Sequence, residues 1–188
     1  MPPKTKITKE MILDAAFEIT RRDGISNLSA RTISKELDCS TQPVMYNYPS
    51  VDSVRIAVYR KADEFHMQYI MKPRGRFGKP LLEIAASYVR FASEEPNLFK
   101  FLFQSGRFSV DNVDDLINEE AFKPVLENLA ASLKSDIGYA KEYFFSKYLA
   151  IHGLASLVAD KAMEYDENQI LKLLQPDSPK NQQSALRR

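Results

Sequence analysis

The chain has 188 residues, of which 44% are hydrophobic and 27% charged, and its formal net charge is +1. That balance describes an ordinary soluble protein, long enough for one ample core or for a small module fused to a larger one. It excludes a membrane-spanning segment, since no run approaches the roughly 20 apolar residues a bilayer needs, and the single cysteine, Cys39, excludes an internal disulfide.

The start, Met-Pro-Pro-Lys-Thr-Lys, lacks the apolar stretch of a signal peptide, so a cytoplasmic protein is expected. Strand signals are nearly absent, and the breakers divide the chain into helices. The first is predicted over 8–22, with Ile12, Ala15, Ala16 and Ile19 on one stripe, and Asp23-Gly24 stops it. The second is predicted over 29–37 and the third over 41–48. Only Asp38-Cys39-Ser40 separates them, a helix-turn-helix corner that makes the third helix a candidate for the major groove of DNA. Tyr48-Pro49-Ser50 ends the third helix and lets Ser50 cap a fourth over 51–71.

A basic loop follows, from Lys72 to Pro80, which reads as a solvated connector rather than a phosphate site. A fifth helix is expected over 81–93 and a short sixth over 98–104, dense in phenylalanine. The seventh spans 114–134, with a kink or break expected at Pro124. The eighth, over 140–162, is apolar around most of its circumference, so it needs cover on more than one side, from its own core or from a partner subunit. A ninth over 167–174 precedes a polar tail that is expected to be mobile.

The N-terminal unit resembles the TetR family of bacterial transcriptional regulators. The residues that carry the resemblance are Ile12 to Phe17, Asp23-Gly24-Ile25, the Leu28 to Ser34 stretch opening helix two, the Leu37 to Ser40 turn, and Gln42-Pro43 with Asn47-Tyr48 closing helix three. It covers about residues 8–60. Beyond them it is architectural, with Tyr148 to Ser156 resembling a His-Gly segment of one C-terminal subgroup. One departure is Val51, where many members carry a Lys or Arg that contacts phosphate. That contact must pass to hydroxyls, helix ends and the N-terminal arm.

The resemblance implies an all-α fold: a helix-turn-helix DNA-binding domain over 1–52, a helical effector-binding and dimerisation domain over 53–175, and a tail over 176–188. It also implies a homodimer on double-stranded DNA, reading a pseudo-palindromic operator, more readily as a repressor than an activator. A small apolar or amphipathic effector would release it, and helices seven to nine are the candidate dimer interface. Two alternatives stay open: a regulator of this fold switched by a protein partner, and a helical small-molecule-binding protein that binds no DNA.

Candidate DNA contacts are Lys4, Lys6, Ser29, Arg31, Thr32, Ser40, Thr41, Gln42, Tyr46, Asn47 and Tyr48. Gln and Asn pair bidentately with adenine, and hydroxyls reach phosphates or base edges. Ser29 reads equally as a helix cap, and Lys4 and Lys6 equally as solvated lysines. Charge gives little help: residues 1–60 hold nine Lys/Arg against seven Asp/Glu. Tyr88, Phe91, Phe99, Phe103, Phe122, Phe144, Tyr148 and His152 are candidates for an effector pocket, although most such aromatics must fill a core. Cys39 suits packing in the turn better than redox chemistry. His66 and His152 stand alone, without the spacing of metal ligands, so no metal and no cofactor is expected. No nucleophile elbow, phosphate loop or acid–base cluster points to catalysis.

Overall fold

The computed structural model describes residues 7–72, 74–106 and 123–174. They form nine α-helices: α1 (Lys9–Asp23), α2 (Ala30–Glu36), α3 (Thr41–Asn47), α4 (Val51–Ile70), α5 (Pro80–Glu94), α6 (Pro96–Phe103), α7 (Lys123–Leu133), α8 (Ile137–Ala159) and α9 (Glu167–Leu174), with a 3-10 turn at Ile25–Asn27. No strand occurs among the described residues. The all-α expectation holds.

Local chemistry sets most helix starts. Thr8 caps α1 by accepting from the Met11 N–H, with Glu10 in the first turn and Arg21 and Arg22 in the last, each charge matched to the helix dipole. Reciprocal capping boxes open α2 (Ser29 with Thr32) and α4 (Ser50 with Ser53). Asp136 caps α8 by accepting from Tyr139 N–H at 2.9 Å, which starts that helix three residues before the predicted position.

Gly24 closes α1 as expected, whereas α2 and α8 close without a glycine. After α2, Asp38 takes φ 47°, Cys39 N–H donates to Ser34 O at 2.9 Å and Asp38 N–H to Lys35 O at 3.3 Å. After α8, Lys161 takes φ 59°, with Ala162 N–H on Leu157 O at 2.9 Å and Lys161 N–H on Val158 O at 3.0 Å. Both are the paired closure in which one left-handed residue turns two amides back onto the last turn. The sequence reading carried helix eight through 162, whereas this closure ends α8 at Ala159. The described part of helix seven spans Lys123–Leu133 and includes Pro124, where a kink or break was expected. The rest of the predicted helix seven lies outside the described residues, as does the tail.

One continuous core joins the N-terminal unit to the rest. Ile12, Ala16, Ile19, Leu28, Ile33 and Val44 fill the space among α1, α2 and α3, and Val54, Val58 and Ala62 extend it along α4. Phe17, Phe65 and Phe91 carry it onward in edge and tilted contacts, at centroid distances of 5.7 and 6.2 Å. α5 is central, packed by α4, α6, α8 and α9. α6 packs on α1 and ties it down by polar contacts: Asn97 Nδ2 donates to Arg21 O at 3.0 Å and to Arg22 O at 2.9 Å, while Glu95 pairs with the Arg21 guanidinium. Two orphan carbonyls at the end of α1 are thereby satisfied from a helix more than 70 residues away.

Candidate nucleic-acid interface

α2 and α3 are each seven residues long, too short to persist alone, so packing and capping must hold them. Ile33 of α2 and Val44 of α3 are both fully enclosed and anchor the pair to α1. With Val44 inward, helical spacing turns Thr41, Gln42, Met45 and Tyr46 outward, and all four are exposed. Tyr46 is 89% exposed, and its neighbour Met45 is 45% exposed. Ser40 precedes α3 without capping it, so its hydroxyl is not spent on the helix.

The other predicted contacts divide into two sets. Arg31 is exposed on the first turn of α2. Ser29 and Thr32 spend their side chains on the capping box: Thr32 N–H donates to Ser29 Oγ at 3.1 Å and Ser29 N–H to Thr32 Oγ1 at 2.9 Å. Asn47 is half-buried, and its Nδ2 donates to Pro43 O at 2.9 Å, which orients its side chain along α3. Tyr48 corrects the sequence reading: it is 4% exposed and belongs to the core, its ring roofed by the Lys9 ammonium at 5.1 Å. Alternation past the end of α3 turns it inward, where burial raises its phenol pKa. Lys4 and Lys6 lie outside the described residues.

Sequence reasoning missed two residues. Lys9 is brought to the end of α3 only by the packing of α1 on α3, which no local pattern encodes. Met45, left ambiguous by periodicity in so short a helix, is 45% exposed between Gln42 and Tyr46 and offers an apolar contact of the kind a thymine methyl accepts. Val51, at the start of α4, is half-buried and carries no charge toward a phosphate.

The predicted effector residues meet in a different way. Tyr88, Phe99, Phe103, Tyr148 and His152 form one ring cluster with centroid distances of 5.0 to 6.4 Å. Phe91 and Phe99 are fully buried, and Phe144 stacks on Tyr148. The Tyr88 hydroxyl lies 2.9 Å from His152 Nδ1. Burial raises the phenol pKa and lowers the imidazole pKa, so a neutral phenol and a neutral ring share this hydrogen bond. His66, 5% exposed, meets Tyr88, Phe91 and Phe103 edgewise, and neither of its nitrogens has a hydrogen-bond partner among the described residues. Burial holds its pKa down at about 4, so it is neutral at pH 7. Phe122 lies outside the described residues. A cavity of about 270 Å3 lies elsewhere, between α4 and α5, and none of these predicted residues lines it.

Among the described residues no helix is long and apolar enough to cross a membrane, and no group of three or more His, Cys, Asp or Glu side chains is placed to hold a metal ion.

No family model matches the chain. A protein of Bacillus subtilis (strain 168), described as an uncharacterized HTH-type transcriptional regulator, YobS, is 28% identical over 172 residues, covering 89% of this chain and 87% of the relative. Among solved structures, a member of the TetR family from Streptomyces coelicolor A3 superposes with a TM-score of 0.54 at 20% identity, covering 87% of this chain and 94% of the other. The multidrug binding protein EbrR, crystallised with imidazole, superposes with a TM-score of 0.52 at 18% identity, covering 90% and 91%. The chain is thus similar in sequence to a helix-turn-helix regulator, and its fold is the one that TetR-family structures share: an N-terminal helix-turn-helix followed by a helical domain.

Proposed function

We propose that the chain binds double-stranded DNA through α3 as a homodimer, reads a pseudo-palindromic operator, and acts as a repressor that a small molecule releases. The observation that carries this reading is the outward face of α3, where Thr41, Gln42, Met45 and Tyr46 are exposed together on a helix held by a buried Val44. Thr41 and Gln42 stand at its N-terminal end, the end a recognition helix points at base edges. Arg31, the Ser40 hydroxyl, Lys9 and the Lys4–Lys6 arm are the candidates for phosphate, in place of the absent cation at Val51.

The domain division follows the same reading, with residues 1–52 as the DNA-binding head and 53–175 as the helical body. α4 belongs to both, starting beside α3 and running into the body. The dimer interface is proposed on α8, whose Leu149 and Leu157 are 50% and 46% exposed with the bare backbone of Gly153 between them. A stripe of that composition suits a second helix crossing closely. An effector acts by binding better to one spacing of the two heads than to the other. That EbrR is titled a multidrug binding protein is consistent with a ligand site in this fold.

The test is a salt titration of the chain on a duplex selected from a random pool. Phosphate contacts release counterions, so affinity must fall steeply as salt rises. An affinity indifferent to salt, or no duplex selected at all, refutes the reading in favour of a helical protein that binds no DNA.

A further inference from the structure

The aromatic cluster that the sequence offered as an effector pocket is occupied by its own rings, whereas the cavity between the C-terminal half of α4 and α5 is built differently. Phe65 and Tyr69 form an apolar wall, Gln68, Lys72 and Arg74 stand exposed at its mouth, and Ser87 and Arg90 are buried at its floor, 1% and 6% exposed. At about 270 Å3 it has room for about nine water-sized groups.

The charges around it are unequally spent. Three cations, Lys72, Arg74 and Arg90, line it and no carboxylate does, while the carboxylates that pair with its arginines or close its rim are already engaged. Glu83 accepts the Phe77 N–H, Glu94 holds Arg74 and the Tyr69 hydroxyl, and Glu167 is shared by Arg76 at 3.0 Å and Arg90 at 3.2 Å. Arg90 uses only Nη2, on Tyr165 and Glu167, so its Nε and Nη1 make no hydrogen bond among the described residues. The Lys72 ammonium likewise has no carboxylate partner among them. A buried guanidinium with an open edge, an unpaired ammonium at the mouth and a wall of two rings select a ligand with an anionic head and an apolar body.

We propose that this groove binds a small amphipathic carboxylate, the head on Lys72 and the open edge of Arg90, and the body against Phe65 and Tyr69. As the identity of the effector this rests on the regulator reading above; as a binding site it stands alone. α4 connects the two ends of the argument. Its C-terminal half lines the groove, and its capped N-terminus adjoins α3, so a ligand that fixes α4 against α5 biases the placement of the reading head.

The experiment is calorimetry on the full chain with benzoate as probe and neutral benzamide as control, repeated on Lys72→Met, an exposed position whose variant is first shown to melt like the wild type. Benzoate is expected to bind about tenfold more tightly than benzamide, and Lys72→Met to weaken benzoate about tenfold while leaving benzamide unchanged. Equal binding of the two probes, no benzoate binding at millimolar concentration, or an unaltered Lys72→Met affinity each overturns the proposal. The same samples are then titrated with DNA. Benzoate that binds through Lys72 without altering DNA affinity leaves the site standing and removes the effector role. DNA binding without benzoate binding removes the site and leaves the regulator reading intact.

Discussion

The two ends of the molecule are stabilised by different means. The head, α1 to α3, is small, made of short helices, and held by caps and aliphatic side chains: Thr8, the Ser29–Thr32 box, the Asp38–Cys39 closure, and Ile12, Ile33 and Val44 beneath. The body, α5 to α8, is held by interlocked rings around Tyr88, Phe99 and His152, with few caps. Local hydrogen bonds fix where each short helix points, which a reading surface needs. Ring packing gives bulk stability and leaves the direction of any one side chain to its neighbours. A head built this way loses orientation when a cap is lost, whereas the body loses stability when a ring is lost.

The largest expected effect that separates the two is Phe99→Ala. The ring is fully buried among Tyr88, Phe103 and His152, and its removal is expected to cost about 3 to 5 kcal/mol, read as a lower denaturant midpoint. A loss under 1 kcal/mol would mean that the cluster is loosely packed.

A smaller effect belongs to His66 and appears only in acid. Its pKa lies at about 4 in the folded chain against 6.5 for a free imidazole, so between these pH values the unfolded chain binds more protons. Its contribution to stability is therefore intact above pH 6.5 and is lost as pH falls toward 4, about 2 kcal/mol of it by pH 4.5. His66→Phe removes that proton uptake. Unfolding of both proteins at pH 7.5 and pH 4.5 checks it: the wild type is expected to lose about 2 kcal/mol more than the variant, and parallel losses would place the acid sensitivity elsewhere.

Smaller still is Ser29→Ala, which removes one half of the α2 capping box and is expected to cost about 1 kcal/mol. Its mark should be local, as faster amide exchange at Thr32 with the body amides unchanged. Uniform exchange throughout would erase the distinction between a capped head and a ring-packed body.

The same contrast explains what the sequence revealed. The N-terminal helix-turn-helix was legible because its information is local: Ser29, Ser50, Gly24 and the three-residue corner announce themselves within a few positions. The failures in the head were tertiary. Tyr48 ends α3 in sequence yet turns into the core under Lys9, a contact made across α1 and α3. In the body the aromatics were visible but their partners were not, so rings that fill space were indistinguishable from rings that line it. The α4–α5 groove escaped because its cations are scattered between residues 72 and 90, in a loop and a helix that read separately as connector and core. The end of α8, closed by Lys161, escaped because the usual glycine signal was absent.

The central claim is that the outward face of α3 reads DNA and contributes nothing to the fold, and Tyr46→Ala tests it most directly. Melting temperature and affinity for the selected duplex are measured on the same sample. Tyr46 is 89% exposed, so the account predicts an unchanged melt together with an affinity at least about tenfold weaker. An unchanged melt with unchanged affinity would contradict it.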